Sequence, residues 1–80
     1  MKAKEMFEAI GYKKTHDNSN FLIYSKQIEL MQAQFRFNKH CKCMIKVAVV
    51  GSFIDSYLDI WAEEIKAINQ QCKELGWLDE

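Results

Sequence analysis

Apolar residues recur along this chain at two different spacings, and the last third carries the longest one-sided pattern. Its apolar positions are separated by four and three residues: Ile54, Leu58, Trp61, Ile65, Ile68, Cys72 and Leu75. This spacing predicts an amphipathic α-helix whose apolar stripe is buried against the rest of the protein. Gly76 followed by Trp77 is typical of a Schellman-type end, so we expect the helix to stop at about Leu75.

The start of this helix has two candidate positions. Ser52 with Asp55 forms a capping-box pattern, and Asp59 is a second acceptable N-cap. We favour Asp59, because Glu63 and Glu64 then lie near the helix N-terminus, where negative charge interacts favourably with the helix dipole.

A shorter helix is predicted near the N-terminus of the chain. Its apolar positions fall on one helical face: Ala3, Met6, Phe7 and Ile10. Gly11 followed by Tyr12 ends this helix with the same chemistry as Gly76 and Trp77. The likeness between the two helix ends is therefore one of capping and not an internal repeat.

Between the helices the spacing changes to alternation, which predicts β-strands. The predicted strands cover residues 12–16, 21–24, 28–37 and 43–50, separated by turn-forming residues. In the last strand we expect one set of side chains to face the C-terminal helix and the other to face away. The first set is Ile45, Val47 and Val49, and the second is Met44, Lys46 and Ala48.

These elements predict one α+β domain that spans residues 1–80. We expect a three- to four-stranded antiparallel meander, with a short N-terminal helix and a long C-terminal helix packed on one sheet face. The predicted core brings together strand and helix residues: Phe35, Phe37, Ile45, Val47 and Val49 with Trp61, Ile65, Ile68 and Leu75. Trp61→Ala and Ile65→Ala should then each destabilise the fold by roughly 2–5 kcal/mol.

Composition narrows the class of protein. The chain has 80 residues, of which 49% are apolar, and its formal net charge is zero, so bulk charge gives no reason to expect binding to nucleic acid or to a membrane. No apolar run is longer than the four residues of 47–50, which is far short of a membrane span. Three cysteines fit a reducing compartment. These features favour a cytoplasmic protein.

Metal binding and catalysis have little support in the sequence. His40, Cys41, Cys43 and Cys72 have ligand chemistry for zinc, but the spacing of Cys41 and Cys43 is not that of a zinc knuckle. No glycine-rich phosphate loop and no combination of nucleophile and base is present. We expect no metal, no cofactor and no enzymatic activity.

A basic segment is the basis of an alternative function. Arg36, Lys39, Lys42 and Lys46 occupy a stretch without acidic residues that also contains Phe35 and Phe37, a mixture that suits binding of single-stranded nucleic acid. Strand alternation argues against it, because Phe35 and Phe37 belong to the other face from Arg36.

Three segments resemble one group of proteins: residues 3–14 (AKEMFEAIGYKK), 18–25 (NSNFLIYS) and 63–78 (EEIKAINQQCKELGWL). The chain is similar there to small uncharacterised proteins encoded by phages, prophages and mobile elements of Gram-positive bacteria. The resemblance implies a location in the bacterial cytoplasm and carries over no catalytic residue. It also implies that Leu22 and Tyr24 supply the core contacts of their strand, which leaves Phe21 and Ile23 on the other face.

The sequence therefore favours a small protein-binding module. It has more apolar groups than a core of this size holds, and the candidates for a partner surface are Phe21, Ile23, Met44, Tyr57, Trp77 and Leu78. The expected partner is a host protein, for example a component of a defence system such as CRISPR-Cas, which would make this chain an anti-CRISPR-type inhibitor. A homodimer is a further expectation.

Overall fold

The computed structural model describes residues 1–55 and 58–78. The elements of this part of the chain are helix α1 (Ala3–Ala9), strands β1 (Lys13–Asp17), β2 (Phe21–Ile28), β3 (Met31–Asn38), β4 (Cys43–Val50) and β5 (Phe53–Asp55), and helix α2 (Ala62–Glu74). The predicted α+β class is confirmed.

The described strands form one antiparallel sheet in the order β1-β2-β3-β4-β5. The predicted number of strands was too low, because Ile54 was counted in the apolar stripe of the C-terminal helix and residues 53–55 were not recognised as a strand. Gly51 and Ser52 instead form a two-residue turn that pairs Val50 with Phe53. Gly51 has a φ of 59°, and a glycine with positive φ at the first turn position is typical of a type II′ hairpin.

One face of the sheet, here called the inner face, carries the core. Phe7 of α1 and Ala67 of α2 pack there against buried strand residues: Leu22, Tyr24, Ala33, Phe35 and Phe37. The expectation that Leu22 and Tyr24 supply the core contacts of β2 is confirmed, as is the burial of Phe35 and Phe37. We call the opposite side of the sheet the outer face.

The predicted facing of β4 was wrong by one residue. In the register of the sheet, Lys46 lies opposite Phe35 and Met44 lies opposite Phe37. Directly opposite residues of an antiparallel pair project to the same face, so Met44, Lys46 and Ala48 are on the inner face. Ile45, Val47 and Val49 are therefore on the outer face. Both alternating sets of β4 side chains are largely apolar. The sequence pattern therefore could not determine which set faces the helices.

Both helices end as their sequences predict. The amide of Tyr12 donates to the carbonyl of Phe7 and that of Gly11 to Glu8, which is the Schellman arrangement at the end of α1. At the end of α2, Trp77 donates to Cys72 and Gly76 to Lys73. Each motif turns an aromatic residue back toward the domain, where Tyr12 is buried and Trp77 packs against the core.

The start and the rotation of α2 differ from the prediction. Trp61 is the N-cap, in place of Ser52 or Asp59, and its amide donates to the carboxylate of Glu64. The buried residues of α2 are Glu64, Ala67 and Gln71. Ile68, Cys72 and Leu75 of the predicted stripe are partly buried against the core, but Trp61 and Ile65 are exposed, so their predicted core role is wrong.

Candidate protein-binding surface

One end of the inner face is not covered by the helices. In the sheet register, Ile28 pairs with Met31 and Val50 pairs with Phe53, and continuation of the β3-β4 register places Met31 beside Val50. These four residues form an apolar row across β2 to β5. Ile28, Val50 and Phe53 are exposed, with Phe53 at 79%. This row lies at the edge of the inner face, and its residues are not part of the hydrophobic core.

Three further apolar residues enlarge this surface. Leu30, in the turn between β2 and β3, is 90% exposed. Trp61, at the start of α2, is 64% exposed, and Ile65, one helical turn later on the same face, is 55% exposed. We call this surface the open end and define it by seven residues: Ile28, Leu30, Met31, Val50, Phe53, Trp61 and Ile65.

A cleft connects the strand part of the open end with the helix part. Its volume is about 200 Å³, and its lining includes Ile28 and Met31 on one side and Leu58 and Trp61 on the other. Pockets for drug-sized ligands usually measure about 300–1,000 Å³. This cleft has room for one side chain of a partner protein.

A buried polar network forms the floor beside the cleft. The Nζ of Lys46 is 2.9 Å from Oε1 of Glu64 and 2.6 Å from the carbonyl oxygen of Asp59. The hydroxyl of Tyr12 donates to the other Glu64 oxygen at 3.0 Å. Burial, and then its hydrogen bond to Glu64, raises the pKa of Tyr12 above the usual tyrosine range.

This network explains the rotation of α2. Glu64 accepts hydrogen bonds from Lys46, from Tyr12 and from the amide of Trp61, so it must face the sheet. A carboxylate in this position is stable only when it is paired. Once Glu64 faces inward, helical geometry turns Trp61 and Ile65 toward the open end.

Acidic side chains border the open end. Glu29 lies in the turn next to Leu30, and Asp59 lines the cleft next to Trp61, and both residues are exposed. The positive charge of Lys46 is buried and bound to Glu64, so it does not offset them at the surface.

The residues predicted to bind a partner are dispersed over the structure. Phe21 and Ile23 are on the outer face, where Phe21 is exposed. Met44 is on the inner face and not on the outer face as predicted, and both Met44 and Trp77 are partly buried against the core, where the Trp77 ring contacts Phe37. Leu78 is exposed at the end of the described chain, and Tyr57 lies outside the described residues.

The basic residues of the nucleic-acid alternative do not share a surface. Arg36 is on the outer face, whereas Lys46 is buried on the inner face. Lys39 forms an ion pair of 2.8 Å with Asp17, and this hydrogen bond lowers the pKa of the Asp17 carboxyl. Lys42 is exposed in the turn before β4. A single groove that tracks a phosphate backbone would need these charges together.

The three cysteines are also not gathered at one site. Cys41 and Cys43 are exposed near the β3-β4 turn, whereas Cys72 is half-buried on α2, and burial raises the pKa of its thiol. Within residues 1–55 and 58–78, no group of three or more His, Cys, Asp or Glu side chains could hold a metal ion. The absence of bound zinc remains a prediction for elemental analysis.

Sequence reasoning missed most of the open end, although part of its signal was present. Val50-Gly51-Ser52-Phe53 has a two-residue turn with glycine first between apolar residues, which is a hairpin pattern. Leu30 is an apolar residue in a turn, where a core role is difficult. The exposure of Trp61 had no local signal, because it depends on the contacts of Glu64 with two distant residues.

No protein-family model, curated protein or solved structure matches the chain. No helix in the part of the chain that the structure describes is long and apolar enough to cross a membrane.

Proposed function

We propose that this chain is a non-enzymatic binding module that contacts a host protein through the open end. The observation that supports the proposal is the concentration of exposed large apolar residues at one end of the domain. An aromatic side chain has roughly 150–250 Å² of surface, so Phe53 and Trp61, at 79% and 64% exposure, together present roughly 200–350 Å², to which the aliphatic residues add. Patches above about 300–600 Å² on monomers are often functional.

The form of the surface suits a protein partner better than a small ligand. A standard protein interface takes roughly 800 Å² from each partner and has an apolar centre, which the open end can supply. Phe53 and Trp61 are aromatic groups of the kind that anchor interfaces, and the cleft between Trp61 and Ile28 can receive one apolar side chain in return.

The acidic border specifies the partner further. Glu29 and Asp59 complement basic side chains around the partner's apolar contact. A symmetric homodimer through the open end would bring the carboxylates of two copies close together, which is unfavourable. We therefore favour a foreign protein with an apolar centre and a basic rim over a second copy. In the phage-like setting suggested by the resemblance, inhibition of a host defence system such as CRISPR-Cas is one form of this function.

The test compares capture of host proteins by matched variants. Affinity-tagged wild type, Phe53→Ser, Trp61→Ser and Leu78→Ser are incubated with nuclease-treated lysate of a Gram-positive bacterium. Leu78 is an exposed apolar residue away from the row and serves as the control. We expect a protein that binds wild type and Leu78→Ser, binds the other two at least tenfold more weakly, and rebinds wild type after purification.

Other outcomes would contradict the proposal. Equal capture of the host protein by Phe53→Ser and by wild type would show that the open end does not contact the partner. Sedimentation of the purified chain at twice its mass of 9.4 kDa, reversed by Phe53→Ser, would identify the occupant as a second copy. Binding that disappears with nuclease treatment would favour the nucleic-acid alternative.

A further inference from the structure

The outer face of the sheet carries positive charge without negative charge. In the sheet register, every outer-face position of β1 to β5 is basic, polar and uncharged, or apolar. Lys13 and Arg36 are its cations, and His16 lies on β1 with Lys13, in the same cross-strand row as Arg36. The chain as a whole has as many acidic as basic residues, so this face differs from the average of the molecule. Its charge complements an anionic partner.

A groove crosses this face at Arg36. Its volume is about 440 Å³, within the range of ligand-binding pockets. Phe21 and Ile45 give it apolar walls, and Asn38 and Cys43 lie at the end nearest the β3-β4 turn. We call it the outer groove. It lies on the opposite side of the sheet from the open end.

The guanidinium of Arg36 is held by hydrogen bonds within β3. Its Nε donates to Oε1 of Gln34 at 2.8 Å, and the amide of Gln34 in turn donates to Gln32. This chain of hydrogen bonds along β3 holds one side of the guanidinium. Among the described residues, the ion pairs involve Lys14, Lys39 and Lys46, and none involves Arg36. The two terminal amino groups can therefore bind a carboxylate in the bidentate manner.

We propose that the outer groove binds an extended acidic segment of a protein, with a carboxylate on Arg36 and an apolar side chain between Phe21 and Ile45. An extended segment of alternating acidic and apolar residues presents both groups at strand spacing. A nucleic acid fits less well, because it needs several phosphate contacts and stacking surfaces. Lys39 is already paired and Lys46 is on the inner face.

The first test measures binding of defined peptides by fluorescence anisotropy. The probes are labelled octapeptides of alternating Glu and Phe, and of alternating Gln and Phe. We expect the Glu peptide to bind about tenfold more tightly than the Gln peptide, a difference of one charge-assisted contact. Arg36→Gln should remove this preference, and Arg36→Lys should keep part of it because it retains the charge without the fork.

Two controls separate the groove from general effects. Lys4→Gln removes one unit of charge from α1 and should leave peptide binding unchanged. Phe53→Ser alters the open end and should also leave it unchanged, so failure here is distinguishable from failure of the proposed function. Folding of each variant is checked by circular dichroism, and Arg36→Lys serves as the test if Arg36→Gln does not fold.

The second test uses the cysteines as position markers. Cys43 lines the outer groove, whereas Cys41 is exposed in the turn outside it. The Glu peptide should slow alkylation of Cys43 by N-ethylmaleimide and leave Cys41 unaffected. The proposal is overturned by equal affinity for both peptides, by no binding of the Glu peptide, by equal protection of both cysteines, or by tighter binding of oligo(dT).

Discussion

The two ends of the inner face are built from similar residues but differ in what covers them. At one end, which we call the closed end, Phe7, Tyr24, Phe35 and Phe37 are fully buried, and Phe7 stacks on Tyr24 with ring centroids 4.0 Å apart. At the open end, Phe53 continues the same face and is mostly exposed. Apolar residues on a sheet face therefore form a core only where a helix covers them.

The helices cover the closed end because their contacts place them there. The amide of Ala3 donates to Glu74 at 2.7 Å, which joins the start of α1 to the end of α2. Burial opposes ionisation of Glu74, but this bond and the one from Gln70 lower the pKa of its carboxyl overall. At the other side, Lys46 and Glu64 separate the aromatic core from the open end. The buried ion pair is thus the boundary between the two regions.

The largest expected effect comes from truncating one phenylalanine at each end. Phe37→Ala should cost about 3–5 kcal/mol, because it leaves a cavity among buried rings, and it can abolish folding of a domain this small. Phe53→Ala should cost less than about 1 kcal/mol, because the side chain is mostly in water. Urea denaturation of both variants, with Phe37→Leu as the milder form, measures the difference. Equal losses would mean that the open end is covered in solution.

Removing one member of the buried ion pair should be almost as costly. Lys46→Met leaves Glu64 buried without its cation, for which we expect a loss of about 3 kcal/mol. The double variant Lys46→Met with Glu64→Gln should recover part of this loss, because it leaves no unpaired buried charge. The amide oxygen of Gln can accept from the Trp61 amide, and its NH2 can donate to the Tyr12 hydroxyl. A double-mutant cycle measures the coupling. Additive losses would show that the two side chains do not interact.

Alkaline pH should destabilise the closed end, with an effect on stability between those of the core and surface substitutions. The hydroxyl of Tyr24 donates to Gln71 at 2.6 Å, and burial, together with nearby carboxylates, raises the pKa of Tyr24 from 10.0 to about 12. The folded state holds this proton more tightly than the unfolded state. Its stabilising contribution is therefore complete below pH 10 and is lost as the pH rises toward 12.

The alkaline transition can be followed by two signals at once. Tyrosinate absorbance and far-ultraviolet circular dichroism should change together, because Tyr12 and Tyr24 ionise only as the fold opens. Tyr24→Phe removes one of these ionisations and should move the unfolding transition to higher pH. Ionisation of all three tyrosines near pH 10 with the helix signal intact would contradict the burial of both residues.

Truncation of α2 at its exposed stripe should have a small effect on stability. Trp61→Ala and Ile65→Ala are each expected to cost less than about 1 kcal/mol, in contrast to the roughly 2–5 kcal/mol that the apolar spacing predicts for core residues. Ala67→Ser, at a fully buried position of the same helix, is the control and should cost more. If Trp61→Ala lowered the free energy of unfolding by several kcal/mol, the side chain would be part of the core after all.

The smallest predicted effect concerns the turn at the open end. Glu29 has a φ of 54°, a conformation that costs a residue with a side chain about 1–2 kcal/mol. Glu29→Gly removes this strain but increases the entropy of the unfolded chain, so we expect a net gain of up to about 1 kcal/mol. Glu8→Gly, in the ordinary helical conformation of α1, should instead cost about 1 kcal/mol. Thermal unfolding of both variants provides the comparison.

Much of the fold follows from local patterns in the sequence. Gly11 and Gly76 marked the ends of both helices, because glycine reaches a positive φ at the lowest cost, and the aromatic residue after each glycine turns back onto the domain. Alternation located β4 at residues 43–50 and identified Phe35 and Phe37 as core. Each of these features depends on neighbours in the chain, which a pattern can represent.

The open end and the outer groove could not be predicted from local sequence patterns. Tertiary pairing of Lys46 with Glu64 sets the facing of β4 and the rotation of α2, and the two residues are 18 positions apart. The sequence by itself determined the element types other than β5, the C-terminal ends of both helices and the aromatic core. The tertiary structure alone decided that Trp61 and Ile65 join Phe53 at one end of the inner face. It also decided that Arg36 lies on the outer face, where no side chain in the described part of the chain forms an ion pair with it. The reason is physical: a buried charge must find its partner, and satisfying that requirement outweighs the burial of one apolar stripe.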